Sequence, residues 1–193
     1  RTIAGLVLCG TARAGVRVIE SPAENTDGRT VIIRSHGVPP QVYEELAASG
    51  ARVVDATCPY VEKLHRLAEE HSGESVMLIA GDPSHPEVEG IAGFCKGETH
   101  IFRSAEELDK ILPILYNRGN EPVTLLAQTT FSVPEWEKCV EKLKKVCTKL
   151  RIFDTICIAT EKRQSEAREL AAQSDAMIVI GGRKSSNTAK LAQ

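Results

Sequence analysis

The sequence predicts an α/β fold in which parallel strands alternate with helices. Three observations support this prediction: short apolar runs recur along the chain, stretches with helical spacing separate them, and Gly, Pro, Asn and Asp mark the connections. Strands that alternate with helices form βαβ units, whose right-handed crossovers place the helices against the sheet.

Six apolar runs are predicted to be buried parallel strands. They are TVIIR (30–34), ARVVD (51–55), SVMLIA (75–80), PVTLLAQ (122–128), LRIFD (150–154) and AMIVIGG (176–182). Six further stretches keep the spacing of a helix with one apolar face: PQVYEELAAS (40–49), YVEKLHRLAEEH (60–71), PEVEGIAGF (86–94), VPEWEKCVEKLKKV (133–146), ATEKRQSEARELAAQ (159–173) and SNTAKLAQ (186–193). Segments 24–28, 81–86 and 116–122 are predicted turns or loops.

The composition excludes several classes of protein. A net charge of -2 gives no reason to expect a nucleic-acid surface, and no apolar run approaches the roughly 20 residues that span a bilayer. The first residues lack the features of a signal peptide, and six cysteines in 193 residues are too few for a disulfide scaffold. These features favour a protein of a reducing cytoplasm. Cys95, Cys139 and Cys147 are interpreted as ordinary reduced thiols.

An internal repeat organises the chain. DATCPYVEK (55–63) and DTICIATEK (154–162) share one spacing, with Cys58 and Cys157 lying 99 residues apart. VMLIAGDPSHPEVEGIA (76–92) aligns with AMIVIGGRKSSNTAKLA (176–192), and VIIRSHGV pairs with TLLAQTTFSV, so that His36 corresponds to Thr129. The repeat predicts three pseudo-equivalent α/β domains: 1–57 is the end of the first, 58–156 the complete second, and 157–193 the start of the third.

The repeated polar residues all follow predicted strands, where parallel α/β folds bind ligands. Thiolates converging around a pseudo-threefold axis could hold zinc or an iron–sulfur cluster. Hydrogen-bond donors at helix starts suit a phosphate or diphosphate; these donors are His36, His85, Ser185, Ser186 and Asn187. Glu87 could be held protonated beside them and deliver a proton.

Each of these residues also has an ordinary structural interpretation. A Cys at a strand end commonly packs in the core, Ser before a helix is commonly an N-cap, and Glu in a first helical turn is favoured by the helix dipole. His65, His71 and His100 have no counterpart in the repeat and are interpreted as solvated surface residues. The functional interpretation is favoured because the repeated positions coincide at equivalent strand ends.

Six motifs resemble the 4-hydroxy-3-methylbut-2-enyl diphosphate reductase family of the methylerythritol phosphate pathway. They are RSHGVPP, DATCPYVEKLH, GDPSHPEVEGIAG, AQTTFS, DTICIATEKRQ and GGRKSSNTAKLA, which occur in family order between about Ala14 and Gln193. The resemblance implies a trefoil of three α/β domains around a [4Fe-4S] cluster held by three cysteines. It also implies an oxidoreductase that removes an allylic hydroxyl and yields isopentenyl and dimethylallyl diphosphates.

The resemblance implies a role for each repeated residue. Cys58 and Cys157 match two cluster ligands, while the family's N-terminal segment with the third cysteine and its last Ser-containing loop have no counterpart; Cys9 does not match either Cys motif. Glu87 matches the proton donor, and Thr129 the hydroxyl beside the substrate's own. The remaining matches hold the diphosphate: His36, His85, Ser185, Ser186 and Asn187. A ferredoxin or flavodoxin would donate the electrons.

Two other functions remain open. The first is a catalytically inactive fragment, or an α/β module, that binds a phosphorylated small molecule without a cluster. The second is a zinc–thiolate protein, which the lack of any C-x-x-C pair disfavours. Iron and sulfide content would separate these alternatives from an iron–sulfur enzyme.

Overall fold

The computed structural model describes residues 15–25, 29–182 and 185–192. Within them the chain divides into two compact units. The first unit runs to Met77 and resumes at Asp82–His100, and the second comprises Leu78–Gly81 and the chain from Ile101 onward. Among the described residues, no helix has both the length and the apolar character needed to cross a membrane.

The described part of the first unit contains a 3-10 helix (Pro22–Glu24), a two-stranded parallel sheet and three α-helices. Strands β1 (Thr30–Ile33) and β2 (Arg52–Asp55) pair in register, with Ile33 opposite Asp55. Helix α1 (Pro40–Ala48) connects them, α2 (Pro59–His71) follows β2, and α3 (Pro86–Gly93) follows later in the chain. A small core supports the sheet and consists of Ile19, Val31, Ile33, Val38 and Leu46.

The α2 helix follows from its sequence. Proline at the first helical position already has the φ angle that a helix needs and gives up an N–H that would be unpaired there. Residues three and four apart then form one buried stripe, as the spacing predicts: Val61, Leu64, His65, Leu67 and Ala68. The buried stripe includes a histidine, which contradicts the prediction that His65 is solvated.

Most of the second sheet belongs to the second unit. Its strand order is β4-β3-β5-β6, formed by β3 (Val76–Ala80), β4 (Thr99–Phe102), β5 (Val123–Ala127) and β6 (Leu150–Ile152). β5 and β6 are parallel, and every residue of β3 and β5 is buried. Continuous burial explains why these two strands are almost wholly apolar, with Thr124 of β5 as the exception.

Five helices complete the second unit: α4 (Ala105–Asp109), α5 (Leu112–Asn117), α6 (Val133–Val146), α7 (Ile158–Ala172) and α8 (Ser186–Leu191). The α6 helix buries Trp136, Cys139 and Leu143 on one face. Its Lys142 ties it to α4, since Nζ donates to both carboxylate oxygens of Asp109 at 2.7 and 2.8 Å.

Five of the six predicted strands are confirmed, and the sixth is wrong. Residues 176–182 have no strand pairing, and Ile178 and Ile180 are 85% and 92% exposed. A strand exists only where a neighbour accepts its hydrogen bonds, and none within the described residues does so. The predicted burial of β2 is also wrong, because Val54 is 42% exposed. The sequence analysis did not anticipate β4, α4 or α5, which are all short.

Candidate functional site

Cys58 and Cys157 occupy the same local structure. Each is the residue that precedes a helix, with φ/ψ of -63/133° and -68/131°, and its carbonyl accepts the first helical N–H bonds at 2.7 to 3.0 Å. Within the described residues neither thiol caps its helix and neither forms a disulfide, and both are half-buried. Both sulfur atoms are therefore left available for a ligand.

An aspartate at the end of the preceding strand shapes each cysteine turn. Asp55 Oδ1 accepts hydrogen bonds from the backbone N and the hydroxyl of Thr57, and Asp154 Oδ1 accepts one from the N of Ile156. Burial raises the pKa of Asp55, but hydrogen bonds from Thr57 and Tyr43 outweigh this effect and leave it below its usual value. The repeated Asp-x-x-Cys spacing thus marks a turn in which the aspartate carboxylate accepts the hydrogen bond of the backbone N–H two residues later.

Each cysteine also bonds to the loop after the neighbouring strand. The backbone N of Cys58 donates to Ser35 O at 3.0 Å, and that of Cys157 donates to Thr129 O at 2.9 Å. The tight turns in the two loops match as well, since Gly37 N donates to Arg34 O and Phe131 N donates to Gln128 O. By this pairing Thr129 corresponds to Ser35, so the predicted correspondence of Thr129 with His36 is wrong by one residue.

In the first unit the structure brings His36, His85 and Glu87 together. The rings of His36 and His85 meet edge to face with their centroids 5.2 Å apart. His85 precedes α3, and its Nδ1 accepts the N–H of Glu87 at 3.2 Å. A neutral histidine that accepts at Nδ1 carries its proton on Nε2, so His85 can donate a hydrogen bond from that atom.

The two histidines are held neutral. Burial, the charge of Arg34 and the second histidine together lower the pKa of His36 to about 4. Burial also lowers the pKa of His85, with Asp82 and Glu89 opposing the change and Arg34 adding to it. Glu87 lies in the first turn of α3 with only 2% of its surface exposed, as a residue that faces the interior.

His65 is a member of this site that the sequence analysis missed. Its ring is 5% exposed and stacks on Phe94 with centroids 4.4 Å apart, and burial lowers its pKa to about 4. Its tip lies against Gly37 and Gly90: a Cβ placed on Gly90 would stand 3.1 Å from Nε2. Helical spacing could have revealed it, because position 65 continues the apolar stripe of α2.

In the second unit the predicted residues form another group. Thr129 is buried beside the Cys157 backbone, and the adjacent Thr130 donates its hydroxyl hydrogen to Ser186 Oγ at 2.9 Å. Ser185 accepts the N–H of Thr188 at 3.2 Å, which confirms the N-cap interpretation. Asn187 Oδ1 is buried and, within the described part of the chain, has no hydrogen-bond partner.

The other cysteines have different surroundings. Burial raises the pKa of Cys95 and Cys147, and it raises that of Cys139 to about 12. A raised pKa opposes the thiolate form that binds metals. These three residues therefore fit the prediction of ordinary thiols, and Cys9 lies outside the described residues.

The positions of Cys58 and of Cys157 are each compatible with a thiolate ligand of an iron–sulfur cluster. Their sulfurs are uncommitted and half-buried at the start of helices, and thiolate is the ligand that such clusters require. Among residues 15–25, 29–182 and 185–192, no group of three or more His, Cys, Asp and Glu side chains could hold a metal ion by itself.

Comparison with known proteins gives one consistent result. A family model described as "LytB protein" matches residues 7–193. The 4-hydroxy-3-methylbut-2-enyl diphosphate reductase of Treponema denticola is 42% identical over 93% of this chain and 63% of its own length, and that of Helicobacter pylori is 38% identical over 91% and 62%. The chain thus spans less than two thirds of these relatives.

Solved structures agree with the sequence relatives. The structure of the E-1-hydroxy-2-methyl-but-2-enyl-4-diphosphate reductase from Plasmodium falciparum has a TM-score of 0.80 and 30% identity, covering 90% of this chain and 54% of that one. A second reductase structure, described as the terminal enzyme of the non-mevalonate pathway, has a TM-score of 0.63 and 36% identity, covering 84% and 57%. The match over nearly the whole chain, in sequence and in structure, shows that this chain belongs to the LytB protein family.

Proposed function

We propose that this protein catalyses the reductive dehydroxylation of 4-hydroxy-3-methylbut-2-enyl diphosphate to isopentenyl and dimethylallyl diphosphates. Membership of the LytB family supports the proposal. The structural observation that carries it is the pair Cys58 and Cys157, whose thiols are free of disulfides. Their backbone N–H groups donate to Ser35 and Thr129, in the loops that hold the predicted substrate residues His36 and Thr129. The domain boundaries at 57/58 and 156/157 are part of the same proposal.

The first role belongs to the two thiols. Cys58 and Cys157 would bind a [4Fe-4S] cluster as two of its ligands, each held by its Asp turn and helix start. When bound, such a cluster supplies electrons and a Lewis-acidic iron for the departing hydroxyl. A ferredoxin or flavodoxin in the same cytoplasmic compartment is the proposed electron donor.

The second role is to hold the diphosphate. His85 can donate a hydrogen bond from Nε2. Nδ1 of His36 is buried and has no hydrogen-bond partner among the described residues, so it is free to donate to an anion. Ser185, Ser186 and Asn187 would contribute hydroxyl and amide groups at the start of α8. A substrate with a short apolar chain offers little else to bind, so the diphosphate fixes its position.

The third role is proton delivery. In the overall reaction the allylic C–O bond breaks, the hydroxyl leaves as water, a C–H bond forms, and two electrons and two protons are consumed. Glu87, which is 2% exposed and lies in the first turn of α3, would supply a proton. Thr129, which is 8% exposed, would orient the substrate hydroxyl for that transfer.

The test is metal content after anaerobic reconstitution of the intact protein. We expect stoichiometric iron and labile sulfide with a brown charge-transfer band, and loss of both in Cys58→Ser and Cys157→Ser. Cys147→Ser is the matched control, because this half-buried cysteine lies at the end of α6 and should leave the iron content unchanged.

Turnover then separates the enzyme from its alternative. The loaded protein should consume the hydroxylated diphosphate when dithionite or a reduced ferredoxin supplies electrons, and Glu87→Gln should lose most of this activity while keeping its iron. A folded, iron-free protein that still binds a diphosphate would contradict the proposal and support the cluster-free binding module.

A further inference from the structure

The guanidinium of Arg34 is a half-buried cationic group with no assigned role. Arg34 directly follows β1, where its carbonyl closes the tight turn to Gly37. Its Nε and Nη2 atoms are shielded from solvent, and neither has a hydrogen-bond partner within the described part of the chain. Buried donors nearly always form hydrogen bonds in folded proteins, so two adjacent N–H groups without acceptors indicate a ligand site.

The same group lies close to the two histidines of the site. The positive charge of Arg34 contributes to the lowered pKa of both His36 and His85, after the larger effect of burial. His36 also has a buried Nδ1 without a partner among the described residues. The charge of Arg34 thus acts on two imidazoles near the end of β1, and Nε and Nη2 of Arg34 and Nδ1 of His36 lack hydrogen-bond partners in the part of the chain that the structure describes.

Carboxylates of the protein do not satisfy this cation. The two acidic residues whose charges act on Arg34 are Glu20 and Glu89, and both are exposed. Neither reaches Nε or Nη2, since both atoms are unpaired in the residues that the structure describes. A structural ion pair thus does not explain why a charged side chain is buried at this position.

We propose that Arg34 is a further anion-binding residue, which grips the diphosphate of the substrate together with His36 and His85; this inference rests on the proposed function. A guanidinium presents two parallel N–H donors that match the oxygens of a phosphate. Binding would satisfy Nε and Nη2 and would place a permanent positive charge beside two neutral rings. Arg34 would therefore supply most of the charge attraction that the histidines lack.

Inorganic diphosphate is the probe, titrated by calorimetry into the intact protein at fixed ionic strength. We expect Arg34→Gln to weaken binding by about tenfold to a hundredfold, which corresponds to about 1.4 to 2.8 kcal/mol. Arg34→Lys keeps the charge but loses the paired donors, so it should weaken binding by about threefold to tenfold. Arg66→Gln removes an exposed arginine of α2 and should bind as the wild type does.

The melting temperature of the ligand-free protein supplies a second measurement. Arg34→Gln should change it little, because Nε and Nη2 have no hydrogen-bond partner among the described residues and the charges of Glu20 and Glu89 act from exposed side chains. Wild-type affinity for diphosphate in Arg34→Gln, or in Arg34→Lys if the Gln variant does not fold, would overturn the assignment of Arg34 while leaving the proposed function intact. Failure of the wild-type protein to bind diphosphate would instead refute the diphosphate site itself.

Discussion

Gly37 offers the sharpest test of how His65 supports the site. The φ angle of Gly37 is +68°, and a Cβ added there would overlap Cε1 of His65 and stand 3.2 Å from both its Nε2 and Thr57 Cγ2. Gly37→Ala therefore carries two costs. A left-handed alanine costs roughly 1–2 kcal/mol, and forcing an extra carbon into a packed site costs roughly 1–3 kcal/mol.

Gly50 is the matched control for the backbone cost. Its φ angle is +69°, and a Cβ there would meet nothing within 4 Å. Gly50→Ala should therefore lower the free energy of unfolding by only about 1–2 kcal/mol, whereas Gly37→Ala should lower it by about 2–5 kcal/mol. Urea unfolding followed by far-ultraviolet circular dichroism measures both changes by linear extrapolation.

A double-mutant cycle assigns the excess to His65. In a His65→Ala background the overlap is gone, so Gly37→Ala should cost no more than Gly50→Ala does. Equal costs for the two glycine substitutions in the wild-type background would refute the reasoning. Equal costs would mean that the imidazole of His65 moves aside freely and does not fix the turn that carries His36.

Two further predictions concern buried polar groups. Burial lowers the pKa of His65 from 6.5 to about 4, so the unfolded chain binds more protons than the folded one between these values. Above pH 6.5 the titration of His65 should not change the free energy of unfolding. As the pH drops from 6.5 to about 4, that free energy should fall by about 3 kcal/mol. Urea titrations of His65→Leu should lack this component, and an identical pH dependence would contradict a neutral buried ring. Separately, Thr130→Val removes the 2.9 Å bond to Ser186 and should destabilise the protein by about 0.5–1.5 kcal/mol. Ser186→Ala should add little in that background, and full additivity in thermal or urea unfolding would show that the two hydroxyls are not coupled.

The two cysteine motifs show how far local sequence determines structure here. Asp55 and Asp154 form their turns with residues two positions away, and Cys58 and Cys157 begin helices whose first turns are equally local. Hydrogen bonds between residues so close in the chain recur wherever the same residues recur at the same spacing. The sequence alone therefore predicted the paired cysteines, five of the six proposed strands and the family resemblance.

His65 and Ile178 show where that reasoning fails. The residues around His65 have the composition of a surface helix. The ring of His65 is buried only because it packs against Phe94, Gly37 and Gly90. The run around Ile178 has the composition of a strand, but no described segment pairs with it. Burial and strand pairing depend on residues distant in the chain, which local patterns do not specify.

The sequence by itself determined the α/β class, the repeat, the two thiols and the polar residues that follow β1, β3 and β5. Only the tertiary structure decided that Ser35, not His36, corresponds to Thr129 and that His36 and His85 meet edge to face. It also left Nε and Nη2 of Arg34 without a hydrogen-bond partner in the described part of the chain. The physical reason is that hydrogen-bond register, ring contact and burial are properties of neighbours in space, while a sequence pattern records only neighbours along the chain.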